Sequence, residues 1–265
     1  MRQLLSLRWL IAHVVVSAIC VTCIVLGFWQ LDRLEERRTA NAITAARYAE
    51  EPLPIDEMVA SAGGDLDSLE LRQATATGTF LPSEEVLVRS QVFQGRAGFD
   101  VITPLVLDDG SAVLVNRGWV PLEFDTVPVE AAPPPEGTVT VEGIVRPSEQ
   151  RGSLGRDDSG AGQVTTVSRI DIDLLDAQMN GGLLPVYLEI VGEPVPTELP
   201  VVAPPPEFND DGPHLNYAIQ WFSFALVGAV GYGFLLRRAV RRDSAGGGEV
   251  IDHLDAGKRR QIGPP

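Results

Sequence analysis

Two long apolar runs, one near each end of the chain, constrain its fold more than any other feature. Trp9 to Leu31 reads WLIAHVVVSAICVTCIVLGFWQL, with His13 and no charged residue, and Tyr217 to Leu236 reads YAIQWFSFALVGAVGYGFLL. As helices rising about 1.5 Å per residue, each covers the roughly 30 Å hydrocarbon core of a bilayer. The spacing predicts transmembrane helices at 9–31 and 214–236. Between them, 32–213 is about 180 residues, enough for a core of its own.

A signal peptide is the competing reading of the first run, because Arg2 and Arg8 precede it. The run exceeds the about 7 to 15 residues of a signal h-region, and charged LDRLEERR follows instead of a small-residue cleavage site, so a retained anchor is expected. A start at residue 9 leaves no room for a transit peptide, which favours a bacterial plasma membrane over an organelle. Arginines before the first run and at 237, 238, 241 and 242 after the second predict a multi-pass protein. Its termini, 1–8 and 237–265, would be cytoplasmic and its middle extracytoplasmic. Arg33, Arg37 and Arg38 lie on the outer side, interleaved with Asp32, Glu35 and Glu36. Residues 39–213 hold 29 Asp and Glu against 9 Arg and no Lys. A field of that sign repels nucleic acid and suits a cationic partner or plain solubility.

Helical character continues through LDRLEERRTANAITAARYAEE until Pro52 and Pro54 stop it, and PIDEMVAS reads as a short helix. The period then changes. RQATATGTF, EVLVRSQVF, FDVITPLVL, SAVLVNRGWV, TVTVEGIVR and QVTTVSRI are Val-, Thr- and Ile-rich segments divided by Gly, Pro and Asp signals. They predict an α+β, mostly antiparallel β domain, as a sheet or small barrel, with RGSLGRDDSGAGQ as a mobile surface loop. RIDIDLLDAQMN predicts an amphipathic helix and VYLEIVG a last strand. Proline-rich 194–213 is expected to be an extended tether, and the tail from Asp243 to be disordered.

The middle segment has no His, Cys or Lys from Thr39 to Pro213. It therefore lacks the means for a Ser-His-Asp or Cys-His site, a zinc centre with imidazole or thiolate ligands, or a Schiff base. Acid pairs such as Asp157 with Asp158 and Asp210 with Asp211 are the remaining acid–base candidates, and adjacent acids in Gly- and Pro-rich loops are usually solvated. A carboxylate hydrolase is thus disfavoured, and the expectation is a protein that is not an enzyme. Cys20 and Cys23 form a CxxC inside the first run, where two small apolar fillers are the plain reading and a redox or copper pair the sharper one.

Of three histidines, His253 lies in the tail. In antiparallel spans His13 and His214 would be about 27 Å apart in depth, too far to share a metal. His214 is left at the outer helix ends, with Phe28, Trp29 and Gln30 on one side and Tyr217 and Trp221 on the other. An imidazole among large rings, with Arg33 and Arg37 nearby, suits a haem, nitrogen to iron and guanidinium to propionate. Aromatic residues and a lone histidine at a bilayer interface are the competing reading. Ala225, Ala229 and Gly233 recur every four residues as a smooth face for the first span, through Gly27, or for another protein's helix.

GFWQLDRLEERR (27–38), GRAGFDVITPL (95–105), VNRGWVP (115–121) and HLNYAIQWFSFA (214–225) together resemble, in order, the signature segments of the surfeit locus protein 1 family. The resemblance covers most of 9–240. It implies a membrane assembly factor for cytochrome c oxidase, helping to insert or stabilise haem a in the catalytic subunit. The expected partners are that haem-copper subunit, other assembly factors and membrane lipid. The family's histidine matches His214, which would ligate the haem iron. Its Gly-x-Trp-Gln segment matches Gly27, Trp29 and Gln30. Arg33, Tyr217 and Trp221 would complete the cofactor site. Arg117, Gly118 and Trp119 match its RGW segment, expected at a strand end as a structural or docking element. Family members often carry a histidine before the TPL segment, where this chain has Gly98, Phe99 and Asp100. A haem-independent membrane scaffold that docks an oxidase subunit is the alternative.

Overall fold

The computed structural model describes residues 6–149, 164–179 and 182–259. The chain forms two compact units, Met1–Asn41 with Asn209–Pro265, and Ala42–Phe208.

The first unit is built from two helices, each long and apolar enough to cross a membrane. Helix α1 (Leu7–Tyr48) runs past its apolar stretch and ends before Pro52, as the pattern predicts. Helix α4 (His214–Arg259) also outruns its apolar stretch. The backbone of 243–259 is helical where composition predicts disorder. Once nucleated, a helix gains a hydrogen bond per added residue, so the apolar run extends it into a stretch that would not start one itself.

The central unit is a barrel with a short helix in its mouth. Its strands are β1 (Leu53–Pro54), β2 (Gln73–Phe80), β3 (Val86–Phe93), β4 (Arg96–Leu107), β5 (Ala112–Pro121), β6 (Thr138–Pro147), β7 (Thr166–Val167) and β8 (Leu183–Glu189). They run in the order β1-β2-β6-β8-β5-β4-β3-β7, and an extra β2–β4 pairing closes β2, β6, β8, β5 and β4 into a ring. Five pairings are antiparallel and three, β1–β2, β3–β7 and β5–β8, are parallel. Strand β4 leaves β3 after Ile102 and joins β2 from Leu105. Pro104 sits at that change of partner, where its missing N–H is least costly.

Ala74, Ala76, Leu105, Val113, Val115, Val145 and Leu188 point into the barrel, and Ile55 and Met58 of α2 (Ile55–Ser61) pack against them. On the outer face, α3 (Ile172–Gln178) lays Ile172 and Leu175 over Val86, Val88, Ile102 and Leu114. Asp171 caps it, its Oδ1 accepting from the Leu174 N–H at 3.3 Å.

Of the expected strand at 163–170, the described residues 164–170 form only a two-residue strand, and the surface loop at 151–163 lies outside the described residues. The proline-rich stretch is not a free tether. Val201 exchanges both backbone hydrogen bonds with Trp119, each 2.8 Å, and Ala203 bridges Val191. Composition excluded helix here but did not reveal that a residue between prolines keeps a donor and an acceptor for a sheet edge.

Candidate functional site

Buried and half-buried residues of α1 within the first unit include 9, 13, 16, 20, 23, 27, 30 and 34, in alternating steps of four and three, with half-buried 12, 26 and 31 each directly beside one of them and 41 two turns beyond 34. On α4 they include 214, 218, 221, 225, 228 and 232. A 3.5-residue repeat is the seam of a left-handed helix pair. The pair is antiparallel: Gln30 meets His214, Phe28 packs edge-on to Phe222 with centroids 5.4 Å apart, Cys20 lies against Ala225 and Gly228, and His13 meets Tyr232. The predicted small-residue stripe is therefore split. Ala225 is buried in the seam with Ala218, Ala229 is exposed, and Gly233 has nothing within 4 Å of the point a Cβ would occupy.

Gly27 admits Phe222 because it has no side chain; an added Cβ would lie 2.6 Å from Phe222 Cε1. That contact aligns the next turn, so that Gln30 stands opposite His214, the first residue of α4. The turn leading into α4 is tied to α1 as well. Arg38 pairs with Asp211 at 2.9 Å, and Asn41 donates to the Asp210 carbonyl at 3.1 Å. Asp210 Oδ1 accepts from the Gly212 N–H at 2.9 Å. The acid pair considered for catalysis is thus engaged in holding the helix start, while Asp157 and Asp158 lie outside the described residues.

At this end His214 Nδ1 is 2.9 Å from Gln30 Oε1. In the Nδ1–H tautomer this nitrogen donates to the amide oxygen, and Nε2 keeps its lone pair for another group. Trp29 is 47% exposed and lies under Arg33, whose guanidinium carbon is 5.6 Å from the ring centroid. Arg33 also pairs with Glu36 at 2.6 Å. Tyr217 is 49% exposed, and Trp221 packs edge-on to Phe224. The structure thus joins His214 to Gln30 and Trp29 to Arg33, and puts Tyr217 and Trp221 on α4 one and two turns beyond His214.

At the other end of the seam Tyr232 Oη and His13 Nδ1 are 2.7 Å apart, beside the Trp9 ring. Sequence reasoning passed over Tyr232, although an imidazole and a phenol at matching depths in two apolar helices are a readable signal of an interhelical hydrogen bond. The separation of the two histidines is as expected: 13 and 30 are 17 residues apart on α1, about 25 Å. Among the described residues no three His, Cys, Asp or Glu side chains are grouped to hold a metal ion.

In the central unit the RGW segment lies within β5 and is buried. Arg117 pairs with Glu85 at 3.2 Å and donates to the Ala132 carbonyl at 2.7 Å. Glu85 also accepts from Thr103 Oγ1 and the Val129 N–H, each at 2.7 Å. This buried cluster binds the loop after β5 to the barrel, and desolvation lowers the Arg117 pKa. Gly118, at φ +124, lies against the Val201 carbonyl, and Gly98 lies against the Trp119 indole. These positions are structural.

Asp100 accepts from Asn116 Nδ2 at 3.3 Å. Burial pushes its carboxyl up from 3.8 to about 6; the Asn116 hydrogen bond opposes this and the charges of Glu189 and Glu149 add to it. Arg146 pairs with Glu189 at 3.2 Å, and Tyr187 donates to Glu149 at 3.3 Å. No sequence signal marks this patch, because its members come from β4, β5, β6, the residues just after β6, and β8.

Residues 18–226, most of the chain, match the family model described as the SURF1 family. The chain belongs to the SURF1 family. It is 32% identical over 252 residues to a SURF1-like protein of Mycobacterium tuberculosis, covering 92% of this chain and 90% of that one. A SURF1-like protein of Monosiga brevicollis is 32% identical over 228 residues, 82% and 84% of the two chains. The cytochrome oxidase assembly protein SHY1 of Saccharomyces cerevisiae is 33% identical over 141 residues, 49% of this chain and 34% of that one. The SURF1 match takes in Gly27, Gln30, Arg117, His214 and Phe222, and ends short of both His13 and Tyr232.

Proposed function

We propose that this SURF1 family member is an assembly factor for cytochrome c oxidase. In this reading it spans the bacterial plasma membrane through α1 and α4, with the acidic barrel on the extracytoplasmic side, and helps insert or stabilise haem a in the catalytic subunit. Exposed Val14, Val21, Val25, Leu226, Val227 and Phe234 suit contact with lipid. The oxidase role rests on the family and on the name of the Saccharomyces relative.

The haem a reading rests on one observation: His214, at the helix end, has Nδ1 2.9 Å from Gln30 Oε1, a contact that in the Nδ1–H tautomer leaves Nε2 for a ligand. That donor fits a haem, whose iron accepts an imidazole nitrogen. Trp29, Tyr217 and Trp221 supply flat apolar surface, and Arg33 a cation for a propionate once it exchanges Glu36. Single-sided ligation suits a carrier that must release its cargo.

Pyridine-haemochrome analysis of protein purified from cells that make haem a, beside His214→Ala, tests this. Haem a bound to the wild type and lost from the variant is expected. Full stoichiometric haem a with an unchanged spectrum in His214→Ala would overturn it. A folded wild type without haem that still co-purifies with the catalytic subunit would favour the scaffold.

A further inference from the structure

We infer that Gln30 is the positioning residue of the His214 ligand, selecting its tautomer and orienting its ring through the Nδ1–H···Oε1 bond. The inference rests on the haem reading for its purpose, but its geometry stands without haem. Neutral histidine in water favours the proton on Nε2, the nitrogen that would face a metal. Gln30 lies with Oε1 2.9 Å from Nδ1, and with the oxygen rather than the amide nitrogen turned to the ring the pair favours the Nδ1–H tautomer, which keeps the Nε2 lone pair of His214 available.

The acceptor is held in position by packing. Gln30 is half-buried one turn beyond Gly27, whose contact with Phe222 sets the helix register, and Leu34 is buried one turn further on. A residue at this position also sets how strongly the imidazole donates, because ligand histidines are tuned by what accepts their second N–H. A carboxylate there draws the proton and makes the imidazole a stronger ligand. A neutral amide leaves it moderate, which matches a protein that must bind and then let go. The choice of amide at residue 30 is thus a specificity device for transfer rather than storage.

Nitrogen-15 NMR of histidine-labelled, haem-free full-length protein in lipid tests the geometry. At about pH 9, above the ordinary imidazole range, the His214 signal is assigned by its loss in His214→Ala. Nδ1-protonated imidazole is expected in the wild type, a shift to Nε2–H in Gln30→Leu, and return to Nδ1–H in Gln30→Glu. On loading with haem, Gln30→Leu should bind about 10- to 100-fold more weakly. Gln30→Glu should show a lower haem reduction potential than wild type and slower haem loss to apomyoglobin. Circular dichroism checks that each variant keeps its helices. An Nε2–H wild type, or a tautomer unchanged in Gln30→Leu, would overturn the positioning role. Wild type whose tautomer answers to Gln30 but which binds no haem would instead overturn the haem reading and the ligand role together, leaving the bond as a helix clamp.

Discussion

Gly27 and Phe222 are in face-to-face register across the helix pair, the ring occupying the space where any other residue would carry its Cβ. The His214 end of the seam depends on this contact, since a shift of one residue turns a helix by about 100° and would take Gln30 away from His214.

Enlarging the notch should therefore separate the site without touching it. Gly27→Leu is expected to destabilise the helix pair by about 1–3 kcal/mol through overpacking, with Phe222→Ala recovering part of the loss in the double variant. Thermal unfolding in detergent of both single variants and the double gives the coupling. Independent, additive effects would count against the notch.

The buried Glu85–Arg117 pair predicts an asymmetry. Glu85→Ala strands a guanidinium that is 5% exposed and frees the Val129 and Thr103 donors, and should cost about 3–5 kcal/mol. Glu85→Gln keeps an oxygen for one of these donors and should cost less. Urea unfolding followed by tryptophan fluorescence checks the order of the two.

At Gly118 the chain combines a backbone conformation open to glycine with a carbonyl, Val201 O, in the path of any side chain. Gly118→Ala should cost at least about 2 kcal/mol and release the 199–203 segment from β5. Limited proteolysis should then cut within that segment. Resistance equal to wild type would mean the Trp119–Val201 pairing survives.

Asp100 supplies a pH dependence whose sign is fixed by its raised pKa. The native state holds the proton more tightly than the unfolded chain, so this residue's contribution to stability falls as pH rises from about 4 to about 6 and is level above that. Asp100→Asn should raise stability by about 1–2 kcal/mol at pH 7.5, after discounting for its partial exposure. The gain should shrink towards nothing at pH 4. Denaturant unfolding at the two pH values measures the difference.

Much of the architecture was legible in the chain. The helices were visible because about twenty apolar residues without charge have few other uses, and the strands because Val, Thr and Ile alternate between turn signals. The strand at 163–170, the proline-rich stretch and the tail came out differently, since each depends on neighbours: β3 supplies only two residues of partner for β7, β5 captures Val201, and α4 extends its helix beyond the apolar run. At the candidate site His214 and Gln30 stood out by residue type and position.

The sequence by itself determined which segments are helix, strand or apolar run, and that His214 is the histidine at the start of the second helix, because periodicity and composition act over a few residues at a time. Only the tertiary structure decided that His214 meets Gln30, that Arg117 meets Glu85 and that β2 closes the barrel on β4. Those relationships join residues far apart in the chain, and their register is set by close packing, at Gly27 against Phe222 and at Gly118 against Val201, which no local pattern records.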